Sequence, residues 1–418
     1  VSDGDELADK LLQVPGAPQR ELRRKHHPAG WEPGVAWDPT TGQGELTVQL
    51  EDDPDPALWA ELIADWGLDP SRCEVVPGSV QIRAWDANVG DGDVRRMRYY
   101  RATITGRTSG SDQADVAELC RTVMKRAGRA RVAPPDTPRA LVVALSDWQV
   151  GKGEGGGSQA TVDRLLQCRD LVRARIRELA KAGRPVSTVY LVGLGDLVEG
   201  CRGHYESQQF TVDLDRTQQA RVVRRMLLAY VDGVAELVPQ VVLAAVPGNH
   251  GENRNGSGRA FTNVATDNDD LGTVEQVAEI LAANPDRYSH VAVHLADDYT
   301  MALDVHGVVV AFTHGHTARS SGHAAQVLEN WWRGQALGRR AVADADVLVA
   351  GHRHHLVVSE STGRTFLQAP AMDGGSHWFT SSSGNSSPPG VLTFAVGRDA
   401  YGERGWGDLA VLEPVELE

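Results

Sequence analysis

Residues 140–145, 188–194 and 241–246 are short, almost unbroken apolar runs, and each ends in a loop of small, polar or acidic residues: Ser146-Asp147, Gly195-Asp196 and Pro247-Gly248-Asn249-His250. Runs of this length that are apolar at every position read as strands buried on both faces. Between them, 161–181 and 216–237 carry apolar residues at the spacing of long amphipathic helices, so the segment reads β-α-β-α-β. Such a series constrains a chain strongly, because in open sheets of parallel strands ligands collect at the carboxyl ends of the strands. The polar residues that could do chemistry stand at those ends. Two later segments have the same form: 308–313 leads into His314-Gly315-His316, and 346–350 leads into Gly351-His352-Arg353-His354-His355.

Upstream the texture differs. Within Arg129-Ala130-Arg131-Val132-Ala133-Pro134-Pro135-Asp136-Thr137-Pro138, three prolines in five residues exclude a helix interior or a central strand. Residues 129–138 therefore read as a linker between an N-terminal part, 1–128, and a second domain, 139–418. In the N-terminal part, 55–66 and 112–127 have helical periodicity while 74–85 and 97–105 read as strands, a small α+β module. Its first forty or so residues, rich in Pro, Gly and charge, read as an extended arm. At the other end, 390–396 and 408–415 read as closing strands that complete a second sheet.

Composition narrows the function classes. The 418 residues are 41% hydrophobic and 23% charged, ordinary for a globular chain of more than one domain. No stretch approaches the roughly 20 apolar residues of a membrane helix, and the first residues lack the order of a secretion signal, so a cytoplasmic protein with no membrane contact is expected. Cys73, Cys120, Cys168 and Cys201 show no C-x-x-C pairing and read as free thiols rather than disulfides or a zinc ribbon. A net charge of −14 gives no support for nucleic-acid binding through bulk charge, although a local basic groove is compatible with it. The glycine-rich 151–157 lacks the G-x-x-x-x-G-K-[ST] order, which excludes a nucleotide P-loop. Trp331-Trp332, on the helix expected over 324–340, reads as core packing more readily than as a substrate groove.

The ordered set is more telling than any one motif: Asp147 after the first strand, Gly195-Asp196 after the second, Gly248-Asn249-His250 after the third, His314 after the fourth and Gly351-His352-Arg353-His354 after the fifth. It resembles the calcineurin-like metallophosphoesterase superfamily, whose motifs D-x-H, G-D-x-x-D/E, G-N-H-D/E, H and G-H-x-H come in this order, and the resemblance covers about 139–394. It implies a four-layer αββα sandwich, helices outside two packed mixed sheets, preceded here by the small α+β domain. It also implies two divalent ions bridged by Asp196, one held with Asp147 and His354 and the other with Asn249, His314 and His352. His250 would face the phosphate as a catalytic acid, with Glu252 orienting it. His316 and Arg353 are candidates for phosphate contact or for steadying a ligand. A water between the ions, acidified to hydroxide, would attack the phosphorus in line.

The chain departs from the pattern where the first motif reads Asp147-Trp148-Gln149. The amide of Gln149 can ligate but lacks the strong nitrogen donation of imidazole, so exchangeable Mn²⁺ is expected ahead of Mg²⁺, Zn²⁺ or Fe. Glu199 ends the second motif where many members have Asp, and Gly251 is inserted before Glu252. In substrate, 146–151 is similar to the opening S-D-x-H-x-G of the SbcD nuclease branch. The alternating cations and aromatics of Arg95-Arg96-Met97-Arg98-Tyr99-Tyr100-Arg101 point the same way or mark a solvated edge strand. A basic run at Arg20 and Arg23-Arg24-Lys25-His26-His27 could reach phosphates or be solvated surface. The expectation is thus a phosphodiesterase acting on DNA or RNA. The alternatives are a phosphomonoesterase or small-nucleotide hydrolase, and a weakly active scaffold module. The sequence leaves the oligomeric state open.

Overall fold

The structure, a computed structural model, describes residues 30–38, 43–50, 54–68, 70, 73–76, 78–90, 93–106, 112–130, 132–205, 208–254, 258–260, 262, 264–318, 322–376, 380–381 and 386–415. The basic run 20–27 lies outside them. Two compact units divide after Ser109.

Among its described residues, the first unit is a five-stranded antiparallel sheet with one helix. Strands β1 (Gly34–Asp38) and β2 (Gln43–Leu50) lie on one side of the long β5 (Asp93–Gly106), and β3 (Cys73–Val75) and β4 (Gln81–Gly90) share its other side. The expected single strand over 74–85 is divided in two by a turn in which Ser79 N donates to Val76 O (3.1 Å). Helix α1 (Pro56–Asp65) starts where Asp55 accepts from Leu58 N (2.8 Å), with Pro56 preset for the first turn. It buries Trp59 and Ile63 against Leu46, Val48, Tyr100, Ala102 and Ile104.

This packing removes the stacking platform expected of 95–101. Tyr99 and Tyr100 are both buried, Tyr99 stacked on Trp85 (5.0 Å) with its hydroxyl donating to Gln49 Oε1 (2.8 Å). Arg101 pairs with Glu45 (3.1 Å) and lies over Trp31, while Arg96 pairs with Asp86 (3.5 Å). Aromatic rings that are consumed by a sheet core cannot stack on bases.

The second unit begins with α2 (Asp112–Met124), continues through β6 (Ala140–Leu145), α3 (Gly157–Lys181), β7 (Thr188–Gly193), α4 (Arg216–Ala235), β8 (Gln240–Ala245), α5 (Asp269–Ala282) and β9 (Val291–Leu295), and builds its second sheet from β10 (Thr300–Val305), β11 (Val308–Thr313), β12 (Val347–Ala350), β13 (Val357–Ser361) and β14 (Arg364–Gln368). Helix α6 (Ala324–Leu337) lies between β11 and β12, and β15 (Val391–Val396) and β16 (Trp406–Leu412) close the chain. The first sheet runs β16-β15-β6-β7-β8-β9, with β6 to β9 parallel; the second runs β10-β11-β12-β14-β13, with β11, β12 and β14 parallel. The closing strands therefore extend the first sheet: β15 pairs antiparallel with β6, Phe394 opposite Val142. Its inward face is as apolar as that of β6, so the edge of the parallel set is where it buries most.

Period-two alternation sorts the strand residues between layers. Leu141, Val143, Leu145, Leu191 and Leu243 pack against α2 to α5, while Ala140, Val142, Ala144, Val192 and Ala244 pack against Val310, Phe312, Val347 and Val349 of the second sheet. That sheet's far face, Ala311, Leu348 and Phe366, is covered by Val327, Leu328 and Trp332 of α6. Helices, sheet, sheet and helix make a four-layer αββα sandwich, and Trp332 is core, its indole donating to Val342 O (2.8 Å). No helix among the described residues is long and apolar enough to cross a membrane.

Helix α2 precedes the linker expected at 129–138 yet belongs to the second unit. Leu119 and Val123 join the helical face of the sandwich core, and Asp115 accepts from Arg224 Nε (3.1 Å) and Arg225 Nη2 (2.6 Å). Arg224 is fully buried. Burial works to raise the Asp115 pKa, but the two guanidiniums overcome it and hold the carboxyl below its ordinary value. Removing a buried partner strands the other charge, so Asp115→Ala should cost about 3–5 kcal/mol in urea unfolding at neutral pH. Because the native pKa is depressed, that difference should fade as pH falls from the ordinary carboxylate value through the native one.

Candidate active site

The carboxyl ends of β6, β7, β8, β11, β12 and β14 open on one edge of the sandwich, and the polar residues that follow them meet there. Asp196 Oδ2 is 2.9 Å from His314 Nε2, which is also 3.1 Å from Asn249 Oδ1 and 3.2 Å from His352 Nδ1. His314 Nδ1 lies 2.8 Å from Leu194 O. A carbonyl can only accept, so Nδ1 carries the proton and Nε2 is turned toward the other three atoms. One carboxylate oxygen, one amide oxygen and two imidazole nitrogens thus crowd one point, and one ligand atom from each of Asp196, His314 and His352 lies within 4.8 Å of the others. A single proton can serve only one such contact, whereas a divalent cation serves all of them, and this mixed nitrogen and oxygen set suits Mn²⁺, Zn²⁺ or Fe²⁺.

A second pole adjoins it. Asp147 Oδ1, buried and without a hydrogen bond, is 3.2 Å from His354 Nε2, and His354 Nδ1 is 3.3 Å from Asp373 Oδ1. A histidine held from behind by a carboxylate is the usual support of an imidazole ligand. Asp147 Oδ2 accepts from His352 N (3.0 Å) and from the Ser146 hydroxyl. Gln149 does not reach toward His354: its Oε1 accepts from Lys152 Nζ (3.1 Å), which is paired in turn with Asp373 Oδ2.

Local backbone conformation is unusual where the donors stand. Asp147, Gln149, Asp196, His352 and His354 have φ of 49°, 43°, 53°, 71° and 57°, five of the nine left-handed non-glycine residues among the described residues. Each costs on the order of 1–3 kcal/mol, and such residues gather where geometry serves function. Two glycines allow the close approach. A Cβ on Gly248 would stand 2.1 Å from Asp196 N, and one on Gly351 2.2 Å from Ser146 Oγ.

His250 stands beside the cluster with Nε2 4.0 Å from Asp196 Oδ2. Its Nδ1 is 2.8 Å from Glu199 O and 3.2 Å from Glu199 Oε2, so Nδ1 is again the protonated nitrogen. Burial alone would lower its pKa, but Glu199 and Asp196 reverse this and push it up to about 10. Glu199 is itself held by Tyr205 OH (2.8 Å) and Gln208 Nε2 (3.3 Å). The expectation that Glu252 orients His250 is therefore corrected. Glu252 Oε2 is taken by Arg254 (2.9 Å from Nε), and Oε1 lies 3.8 Å from His316 Nε2. The inserted Gly251 carries the chain past His250, leaving the shorter route to Glu199. His316 stays outside the donor cluster, its pKa driven down to about 3 by burial and by His314. Arg353 Nη1 donates to Gly322 O (3.2 Å).

Sequence reasoning missed four residues. Asp270, fully buried, accepts backbone amides from Asp196 (2.9 Å), Leu197 (2.9 Å), Val198 (3.3 Å) and Gly248 (3.0 Å), tying the β7 and β8 loops together. In sequence it looks like a helix first-turn acid, and nothing marks it further. Asp373 follows β14, so the strand-end rule would have reached it. Lys152 lay in a glycine-rich loop read as a border. His204 stacks face to face on His250 (4.2 Å) and has no motif around it.

No protein-family model matches the chain, and no curated protein matches it. Among solved structures, vacuolar protein sorting 29 of Cryptosporidium parvum is 16% identical over 66% of this chain and 99% of that one, with a TM-score of 0.29. A novel archaeal phosphodiesterase is 13% identical over 65% and 99%, with a TM-score of 0.28. A putative 5'-nucleotidase from Staphylococcus aureus is 10% identical over 67% and 55%, with a TM-score of 0.32. Values this low carry no argument about chemistry. The class is defined by the layers and strand order above, a four-layer αββα sandwich.

Loss of the Asp270 carboxylate would strand four buried amides. Asp270→Ala should therefore destabilise the chelator-treated protein by at least about 3 kcal/mol in urea unfolding. It should also weaken Mn²⁺ binding in calorimetry, because two of the loops that carry donors lose their tie.

Proposed function

We propose that this chain is a divalent-metal-dependent phosphodiesterase, and that a DNA or RNA strand is its substrate. The convergence of Asp196, Asn249, His314 and His352 on one point, with His250 alongside and held by Glu199, is the observation that carries this reading. Those four residues would hold one ion, and Asp147, Asp196 and His354 present donors for a companion. When bound, a divalent ion there supplies Lewis acidity, neutralising phosphate oxygens and acidifying a water.

The chain's own residues supply the rest. Glu199 keeps the Nδ1 proton of His250 in place, so Nε2 carries the proton that can move. Hydrolysis forms a bond from water oxygen to phosphorus and breaks the bond to the leaving alkoxide, which takes the Nε2 proton; water returns it. Asp270 holds the two loops at fixed separation, so the geometry need not reorganise as charge develops. The diester is favoured over the monoester by charge. Among the described residues beside the site, Lys152 and Arg254 are engaged by Asp373 and Glu252 and Arg353 donates to Gly322 O, which weakens the clamp on a dianionic terminal phosphate. The nucleic-acid part rests on the short SbcD-like stretch 146–151.

Two assays test this. Bis-p-nitrophenyl phosphate should be cleaved in Mn²⁺ faster than p-nitrophenyl phosphate, with no turnover in chelator or in Asp196→Ala; a monoester preference would favour a phosphomonoesterase. His250→Ala should slow cleavage of a dinucleotide by roughly 100-fold or more, because alkoxide needs a proton to leave. It should slow p-nitrophenyl diesters far less, since that anion departs unaided. Equal losses on both would remove His250 as the acid.

A further inference from the structure

We propose that the site is electrostatically lopsided: the Asp196–Asn249–His314–His352 pole takes one divalent ion tightly, while the Lys152 ammonium, locked between Gln149 and Asp373, keeps the Asp147–His354 pole from holding a second with similar affinity. The inference rests on the metal-dependent reading above and concerns how the metal load is divided.

At the first pole the other three groups are arranged around His314 Nε2 at 2.9–3.2 Å, with the second His314 nitrogen fixed by Leu194 O. At the other pole the donors are fewer and already engaged. Asp147 has one oxygen committed to the His352 amide and the Ser146 hydroxyl, leaving Oδ1. Gln149 offers a neutral amide oxygen in place of an imidazole, and that oxygen receives Lys152 Nζ at 3.1 Å. Besides Asp147 Oδ1, only His354 Nε2 and the shared Asp196 remain.

Lys152 is not a loose surface cation. Its side chain is 11% exposed and that of Asp373 4%, and its backbone is set by a turn in which Lys152 N donates to Gln149 O (3.0 Å). Asp373 would otherwise lend its negative charge to His354 from 3.3 Å and strengthen it as a ligand. Paired with an ammonium, that carboxylate is neutralised, and the ammonium itself repels a dication. Gln149 and Lys152 therefore act in one direction: the amide withholds a strong donor and the lysine cancels the supporting charge.

Titrating Mn²⁺ into the chelator-stripped full chain, followed by calorimetry and by electron paramagnetic resonance, decides the matter. The expected result is one tight equivalent giving the hyperfine pattern of an isolated ion, with any second equivalent weaker by roughly 100-fold or more. Gln149→His/Lys152→Met should then take two tight equivalents and give the spectrum of an exchange-coupled pair. Should that variant fail to fold, Lys152→Met alone should narrow the gap between the two affinities. Two equivalents of matched affinity in the wild-type chain would overturn the inference and leave the proposed function standing. No tight equivalent at all would overturn that function, and this inference with it.

Discussion

The candidate site depends on a carboxylate that need never touch a substrate. Asp270 sits at the start of α5 with no exposed surface and accepts four main-chain amides, three from the turn after β7 and one from the turn after β8. Those turns carry Asp196, Asn249 and His250. Parallel strands bring their ends close, but only to the tolerance of a loop; the tie through Asp270 converts proximity into a fixed distance. Burial and the neighbouring Asp196 push its pKa up, to about 7, against the four donors that favour the anion. The same oxygens thus answer to two demands, holding backbone and standing beside another negative group, which a cation next to Asp196 would reconcile.

Cost is concentrated around that tie. Five residues with left-handed backbone, two glycines whose Cβ would collide, and three fully buried aspartates, Asp147, Asp196 and Asp270, lie within a few loops. Nothing in the packing of the sandwich requires them. Elsewhere the layers are satisfied by apolar alternation, and five of the nine left-handed non-glycine residues among the described residues stand at the edge where side chains converge. The arrangement is economical for a site that gains its stability from a bound cation, since binding to the folded state offsets what the loops give up.

The layers were legible because their cause is local. Strands buried on both faces must be apolar throughout, so β6, β7 and β11 could be bounded from sequence, and the strand-end rule then located Asp147, Asp196, Asn249, His314, His352 and His354. What could not be read depends on partners far along the chain. In sequence Glu252 stands close to His250 and reads as its mate, whereas Glu199 reaches His250 Nδ1 from the loop after β7. Helix α2 looked like part of the N-terminal module because it precedes the prolines, yet its allegiance is decided by Arg224, more than a hundred residues on. Strands β15 and β16 carried no sign of which sheet they would join. Tyr99 and Tyr100 looked like nucleic-acid contacts because alternation of cations and rings does not say which rings face a core.

If the strand ends form a seat for a divalent ion at His314, anomalous diffraction at the manganese edge, from crystals grown with Mn²⁺, should show it directly. A peak is expected within about 2.0–2.3 Å of Asp196, Asn249, His314 Nε2 and His352 Nδ1, the range of metal–nitrogen and metal–oxygen bonds. A well-ordered crystal with no peak there, or with Mn²⁺ bound only elsewhere on the chain, would contradict it.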